Sequence, residues 1–193
     1  MSPQSIEEVL EFWFAPATRE RWFDPSPEFD QNLRRRFGEL YARAATGHLA
    51  HWENSADGSL ALCILLDQMP RNIFRGDRRA FASDHLALRV AERALAAGHD
   101  RGLAPERRQF LYLPFMHSET LGHQLRCLAL CEAAGLGESA KYARDHLAII
   151  RRFGRFPHRN ALLGRETTAE EAAYLAQNPD GYGQKAAADD PPA

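Results

Sequence analysis

Apolar residues return at steps of three and four along most of the chain, and strict apolar–polar alternation is almost absent. That period belongs to amphipathic helices rather than strands. Phe29, Leu33, Phe37, Leu40, Tyr41 and Ala44 define one such face, with Ser26 as a cap, Pro27 at the first helical position and Gly47 as the stop. Ser5 with Glu8 predicts a capping box ahead of a first helix through "EEVLEFWF". A very apolar third helix is expected from Ser59 to Asp67, ending near Pro70. A fourth spans about Asp77 to Ala97, and a fifth opens at Pro105 and meets Pro114. The sixth runs from about Ser118, with Ser118 as a candidate cap and Glu119 in its first turn, to Ala134. The seventh covers Ser139 to Phe153, and Thr167 with Glu170 opens an eighth that ends near Gln177.

About eight helices with short links predict an all-α domain over residues 1–177, built from layered antiparallel pairs. From Asn178 the composition turns to Gly, Ala, Asp and Pro, so residues 178–193 read as a flexible tail.

Composition narrows the function classes. No long uncharged apolar run predicts a membrane span, and the acidic start does not read as a secretion signal. Cys63, Cys127 and Cys131 stand in apolar stripes without a C-x-x-C pair, which fits buried thiols in a reducing cytoplasm. The net charge of −2 makes nucleic acid a poor partner. Of the 24 basic residues, 22 are arginine. Base composition explains such a bias, and so does a need for the planar guanidinium fork that grips carboxylates and phosphates.

Three stretches place charges where apolar helices end at Pro or Gly: residues 65–84, 113–124 and 145–167. The first holds Asp67 and "RNIFR", with Arg71, Asn72 and Arg75. The third holds "RFPHRN", with Arg155, His158, Arg159 and Asn160. "PRNIFRG" and "PHRNALLGR" faintly echo each other. If these stretches converge, their guanidiniums and amides would suit a small phosphate or carboxylate. The bland alternative pairs the arginines with Asp67, Asp84, Glu119 and Asp145 in networks that lock helix ends. In the second stretch, His117 and Glu119 are the candidate acid–base pair. Glu119, His123 and His146 are weak metal candidates, because no H-E-x-x-H or zinc-type spacing supports them.

The same blocks carry a family resemblance. "WF" at 13–14, "LLDQMPRNIFR" at 65–75, "FASD" at 81–84, "YLPFMHSE" at 112–119, "RFGRFPHRN" at 152–160 and "LGR" at 163–165 resemble the bacterial family known as domain of unknown function 924. The resemblance spans about residues 5–177, with Met69 standing where an aromatic is expected. It implies an all-helical fold similar to tetratricopeptide repeats and implies no activity. Three functions stay open on the residues: an anion pocket with or without catalysis, a helical-repeat module that grips a protein partner while the cluster is structural, and a metal-dependent hydrolase. Cofactor and oligomeric state are not specified by the sequence.

Overall fold

The structure is a computed structural model that describes residues 5–24 and 26–179. Among these residues there are helices and no strand. The expected C-terminal tail lies outside the described residues from Asp180 onward. In chain order the helices are α1 (Ile6–Phe14), α2 (Pro16–Arg19), α3 (Pro27–Ala45), α4 (Ala56–Cys63), α5 (Met69–Ile73), α6 (Asp84–Ala96), α7 (Pro105–Met116), α8 (Leu121–Ala133), α9 (Gly137–Phe153), α10 (Asn160–Leu163) and α11 (Ala169–Gln177). Successive helices α6, α7, α8 and α9 pack one against the next, as antiparallel pairs joined by short turns do. No described helix is long and apolar enough to cross a membrane.

The caps act where their chemistry predicts. Ser26 Oγ accepts the Phe29 amide at 3.3 Å ahead of Pro27, and Ser5 Oγ accepts that of Glu8 at 3.2 Å. The last capping box is Thr168 with Glu171, one residue later than Thr167 with Glu170. Both frames fit the pattern in "ETTAEE". Only the later one lets Glu171 also reach Arg155, at 2.6 Å.

The expected breaks at proline do not occur. Between α4 and α5 the chain stays helical through a π turn, Ile64–Gln68, in which the Met69 amide reaches back to the Ile64 carbonyl. Pro70 has no N–H to offer the Leu66 carbonyl. Ser83 Oγ donates to that carbonyl at 2.6 Å instead, so a residue from another segment repairs the helix. Likewise α7 passes through Pro114 and ends at Met116, less than a turn later. The fourth expected helix is split into a 3-10 turn, Arg78–Phe81, and α6. The sixth begins at Leu121, which leaves Ser118 and Glu119 in the α7–α8 turn rather than in a first helical turn.

The main core gathers Trp13, Leu33, Phe37, Leu65, Phe110 and Phe115 from α1, α3, the π turn and α7. A separate small core of Ile149, Ile150 and Phe156 lies under the end of α9. The three cysteines are all buried. Polar side chains from the π turn, α5, α6, α9 and the turns after α7 and α9 meet in one place, and that place is the candidate site.

Candidate functional site

Asp67 is the centre of the cluster. It sits on the π turn and is fully buried. Wide turns of this kind are inserted disproportionately at functional positions. Its carboxylate accepts His117 Nδ1–H at 2.7 Å, and the Gln68 amide also donates to it. The Arg71 guanidinium forms an ion pair with it at 3.1 Å and donates to the Asp67 backbone carbonyl. Burial alone would raise the Asp67 pKa. The charge of Arg71 and the bond from His117 outweigh that and hold it at about 2. An ionised carboxylate can only accept, so His117 carries its proton on Nδ1 and leaves Nε2 bare when neutral. Burial and then Arg71 lower the His117 pKa, with Asp67 opposing them.

A second carboxylate, Asp84 at the start of α6, joins the two sequence stretches. Arg71 grips it through two N–H groups, each at 3.0 Å. Arg159, from the 3-10 turn Pro157–Arg159, reaches the same carboxylate through one N–H at 3.3 Å. The Arg159 side chain is 8% exposed, and its buried Nε has no hydrogen-bond partner among the described residues. Its guanidinium carbon lies 4.6 Å from the ring centres of both Phe81 and Phe156. Burial, reinforced by the like charge of Arg71 and opposed by Asp84, brings the Arg159 pKa down to about 10.

Two more histidines line the cluster. His146 on α9 donates from Nδ1 to the Tyr142 carbonyl at 2.8 Å, and its ring is 6.4 Å from that of His117. Burial, then His117 and the two arginines, bring it down to about 3. The His158 ring lies 5.5 Å from that of Phe156, and burial and Arg159 bring it to about 3 as well. At neutral pH the cluster holds neutral imidazoles beside guanidiniums. It reaches solvent at Asp84, 19% exposed, and at His117, 15% exposed.

Of the residues expected from sequence, Asp67, Arg71, His117, His158 and Arg159 come together here. The others pair elsewhere. Arg75 clamps Asp30 of α3 at 2.6 and 3.0 Å and donates to Asn72 Oδ1 at 2.7 Å. Arg155 clamps Glu171 of α11, and Asn160 donates to Glu171 and Thr167 at 3.3 Å each. Glu119 does not face His117. It accepts the Phe156 amide at 2.7 Å and a two-point grip from Arg165 at 2.8 and 3.0 Å. Burial raises the Glu119 pKa less than these donors lower it, so its carboxyl lies below the usual carboxylate range. The metal candidates Glu119, His123 and His146 stay apart. His123 bonds Ser118 Oγ at 2.8 Å and lies 3.8 Å from Glu92. Among the described residues no group of three His, Cys, Asp or Glu side chains is placed to hold a metal ion.

Sequence reasoning missed Arg165 and offered His146 only as a weak metal candidate. Arg165 stands in the "LGR" block, and its partner Glu119 is 46 residues away.

Antiparallel helices that enclose a shared-carboxylate arginine pair and an Asp–His pair define a helical protein with an interior polar site. The chain belongs to a family of bacterial proteins of unknown function, domain of unknown function 924, whose model matches residues 9–179. It is similar to a protein of unknown function from Agrobacterium tumefaciens whose structure has been solved. The two are 42% identical, with a TM-score of 0.85 over 89% of this chain and 97% of the other. A comparison with curated proteins finds no match.

Proposed function

We propose that the protein binds a small anionic ligand, a phosphate or a carboxylate, at the cluster around Arg159. The observation that carries this reading is the under-satisfied guanidinium of Arg159. A buried arginine with an unpartnered Nε and one long contact to a shared carboxylate is costly to keep. An oxyanion in two-point contact removes that cost. His117, backed by Asp67, is the acid–base residue of the site, in place of the pair His117 with Glu119. Its bare Nε2 can take up a proton beside the bound ligand. The buried thiols fit a reducing cytoplasm as the working compartment.

Thermal unfolding against inorganic phosphate, phosphate esters and small carboxylates tests the reading. A ligand that binds only the folded state, at 100 times its dissociation constant, adds roughly 2.7 kcal/mol, a shift of a few degrees at this size. The shift should vanish in Arg159→Met. If no anion moves the transition of the wild type, the arginines are structural and the reading is lost.

A second reading has one observation behind it. Between α8 and α9 lies an open furrow of about 590 Å³ with Leu125, Leu128 and Leu147 in its lining and Arg144, Arg151 and Arg152 around them. Leu121 and Leu125 on α8 are exposed. A helical-repeat protein would use such a surface to hold an acidic, apolar segment of a partner. Charge reversal at Arg151 that alters an established partner's affinity, with anion binding unchanged, would separate the two.

A further inference from the structure

The charges that face His117 are nearly balanced before any ligand arrives. Asp67 and Arg71 face it from the π turn and α5, and Asp84 from α6. His146 faces it from α9. His158 follows from the turn after α9, and Arg159 beside it joins the group through the shared Asp84 carboxylate. Glu119 and Arg165 form a closed pair of their own. Two guanidiniums are offset by two carboxylates, and the imidazoles are neutral. A guest anion therefore brings an uncompensated negative charge into a largely buried place, which is strongly unfavourable. The most accessible compensating charge is a proton on an imidazole.

We infer that the site takes up its oxyanion together with one proton, which His117 accepts at Nε2, so that the ligand is held between the Arg159 guanidinium and an imidazolium. This rests on the anion-binding reading above. His117 is the histidine suited to the charge. Its Nδ1–H already lies 2.7 Å from the Asp67 carboxylate, which stabilises an imidazolium directly. Its Nε2 makes no hydrogen bond among the described residues, and the ring's 15% exposure gives the proton a path from solvent. His146 is 7% exposed and its Nδ1 is bound to a carbonyl, which does little for a positive charge. His158 neighbours the Arg159 guanidinium, which repels one. The proton comes from water or buffer, forms an N–H bond at Nε2, and leaves Asp67 ionised. The separate oxygens of an oxyanion can serve both donors.

Linkage sets the pH dependence. A bound anion raises the His117 pKa above its value in the free protein. Affinity then climbs up to about tenfold per unit as pH falls between those two values, and is flat outside them.

Calorimetric titration with acetate and with inorganic phosphate tests this, at one pH in two buffers of different ionisation enthalpy. Acetate stays ionised near neutrality, so any proton taken up with it belongs to the protein. The expected result is an uptake approaching one proton per acetate for wild type and for His158→Asn, and none for His117→Asn. Binding without proton uptake would overturn the inference and leave the anion site standing. Uptake that persists in a folded His117→Asn would place the proton elsewhere and also overturn it. Absence of binding by both anions would remove the anion site and the linkage together. Should His117→Asn fail to fold, ring ¹⁵N shifts of His117 in the wild type decide the matter: they should move to imidazolium values on adding acetate, and unchanged shifts with acetate bound would refute the assignment.

Discussion

Arg71, Asn72 and Arg75 make one device, and Arg159, Asn160 and Arg165 make it again. In each, the Asn side-chain oxygen accepts from the later arginine, at 2.7 Å in the first and 3.0 Å in the second. That arginine clamps a carboxylate from a distant segment, Asp30 in one case and Glu119 in the other. The leading arginines, Arg71 and Arg159, both turn to Asp84. They differ in how well they are satisfied. Arg71 has a two-point grip on Asp84 and a second carboxylate in Asp67. Arg159 has one contact of 3.3 Å, an unpartnered Nε and two aromatic faces. One copy of the device is closed on itself and reads as structure. The other is short of an acceptor and reads as a place for a ligand.

The two copies share Asp84, so its loss breaks the comparison most completely. Asp84→Asn keeps the shape and removes the charge that both leading arginines use. Breaking a buried ion pair from one side costs roughly 3–5 kcal/mol, and Asp67 is left to serve Arg71 alone. Chemical denaturation should show a fall in that range with an unchanged slope. A loss under 1 kcal/mol would mean that Asp84 is well hydrated and joins nothing.

Acid should then separate the copies. His146 and His158 titrate at about 3 in the folded protein, against about 6.5 for an ordinary histidine. Below about pH 6.5 the unfolded chain binds more protons than the folded one, so stability falls as pH drops toward 3 and is unaffected by these groups above that window. Each buried histidine contributes a slope of at most about 1.4 kcal/mol per pH unit. His158 belongs to the second copy, and the first contains no histidine. Asp67, held at about 2, loses its contribution only as pH falls from about 4 through 2. Hydrogen exchange at pH 5 should show residues 156–165 opening before residues 64–75. The reverse order would contradict the assignment of a neutral His158 to the second copy.

The outer arginines give a smaller and more symmetrical effect. Arg75→Met and Arg165→Met each leave one partly buried carboxylate and one Asn oxygen short of a donor. Losses of roughly 1–3 kcal/mol are expected, alike to within about 1 kcal/mol if the two copies are one device. Unequal losses in denaturant titration would show the likeness to be geometric only.

Much of the helical framework was legible because each helix buries a face and announces it through its own period. Asp67 and Arg71 were legible as members of one stretch, but the helix expected to end near Pro70 hid that they share a face, because it in fact continues through that proline. The equivalence of the two copies was harder to see. The faint echo of "PRNIFRG" in "PHRNALLGR" set Arg71 and Asn72 against Arg159 and Asn160, and gave Arg75 no stated counterpart. The true counterpart of Arg75 is Arg165, because α10 and its Gly164 turn intervene, with φ of 63° at that glycine. Local pattern names a face without saying which distant carboxylate it meets, and Arg75 meets Asp30 from 45 residues away. The prolines misled for the same reason. The donor that repairs Pro70 comes from Ser83, a tertiary event that no local rule contains.

The smallest change in stability should come from the substitution with the largest change in binding. Arg159→Met keeps the volume between Phe81 and Phe156 and removes a guanidinium whose burial is poorly compensated. Asp84 keeps its two-point partner in Arg71, so no carboxylate is orphaned. Replacing a poorly paired buried charge by a well-packed apolar group is often neutral or stabilising. The expected change is therefore within about 1 kcal/mol of zero, or a gain, alongside complete loss of the anion-induced shift in unfolding temperature. The matching change in the closed copy, Arg71→Met, leaves Asp67 and Asp84 under-paired and should cost roughly 3 kcal/mol. If Arg159→Met proves as damaging as Arg71→Met, both copies are structural and the asymmetry between them has no functional meaning. If it is silent in stability and blind to anions, Arg159 is retained for a ligand, since folding has no need of it.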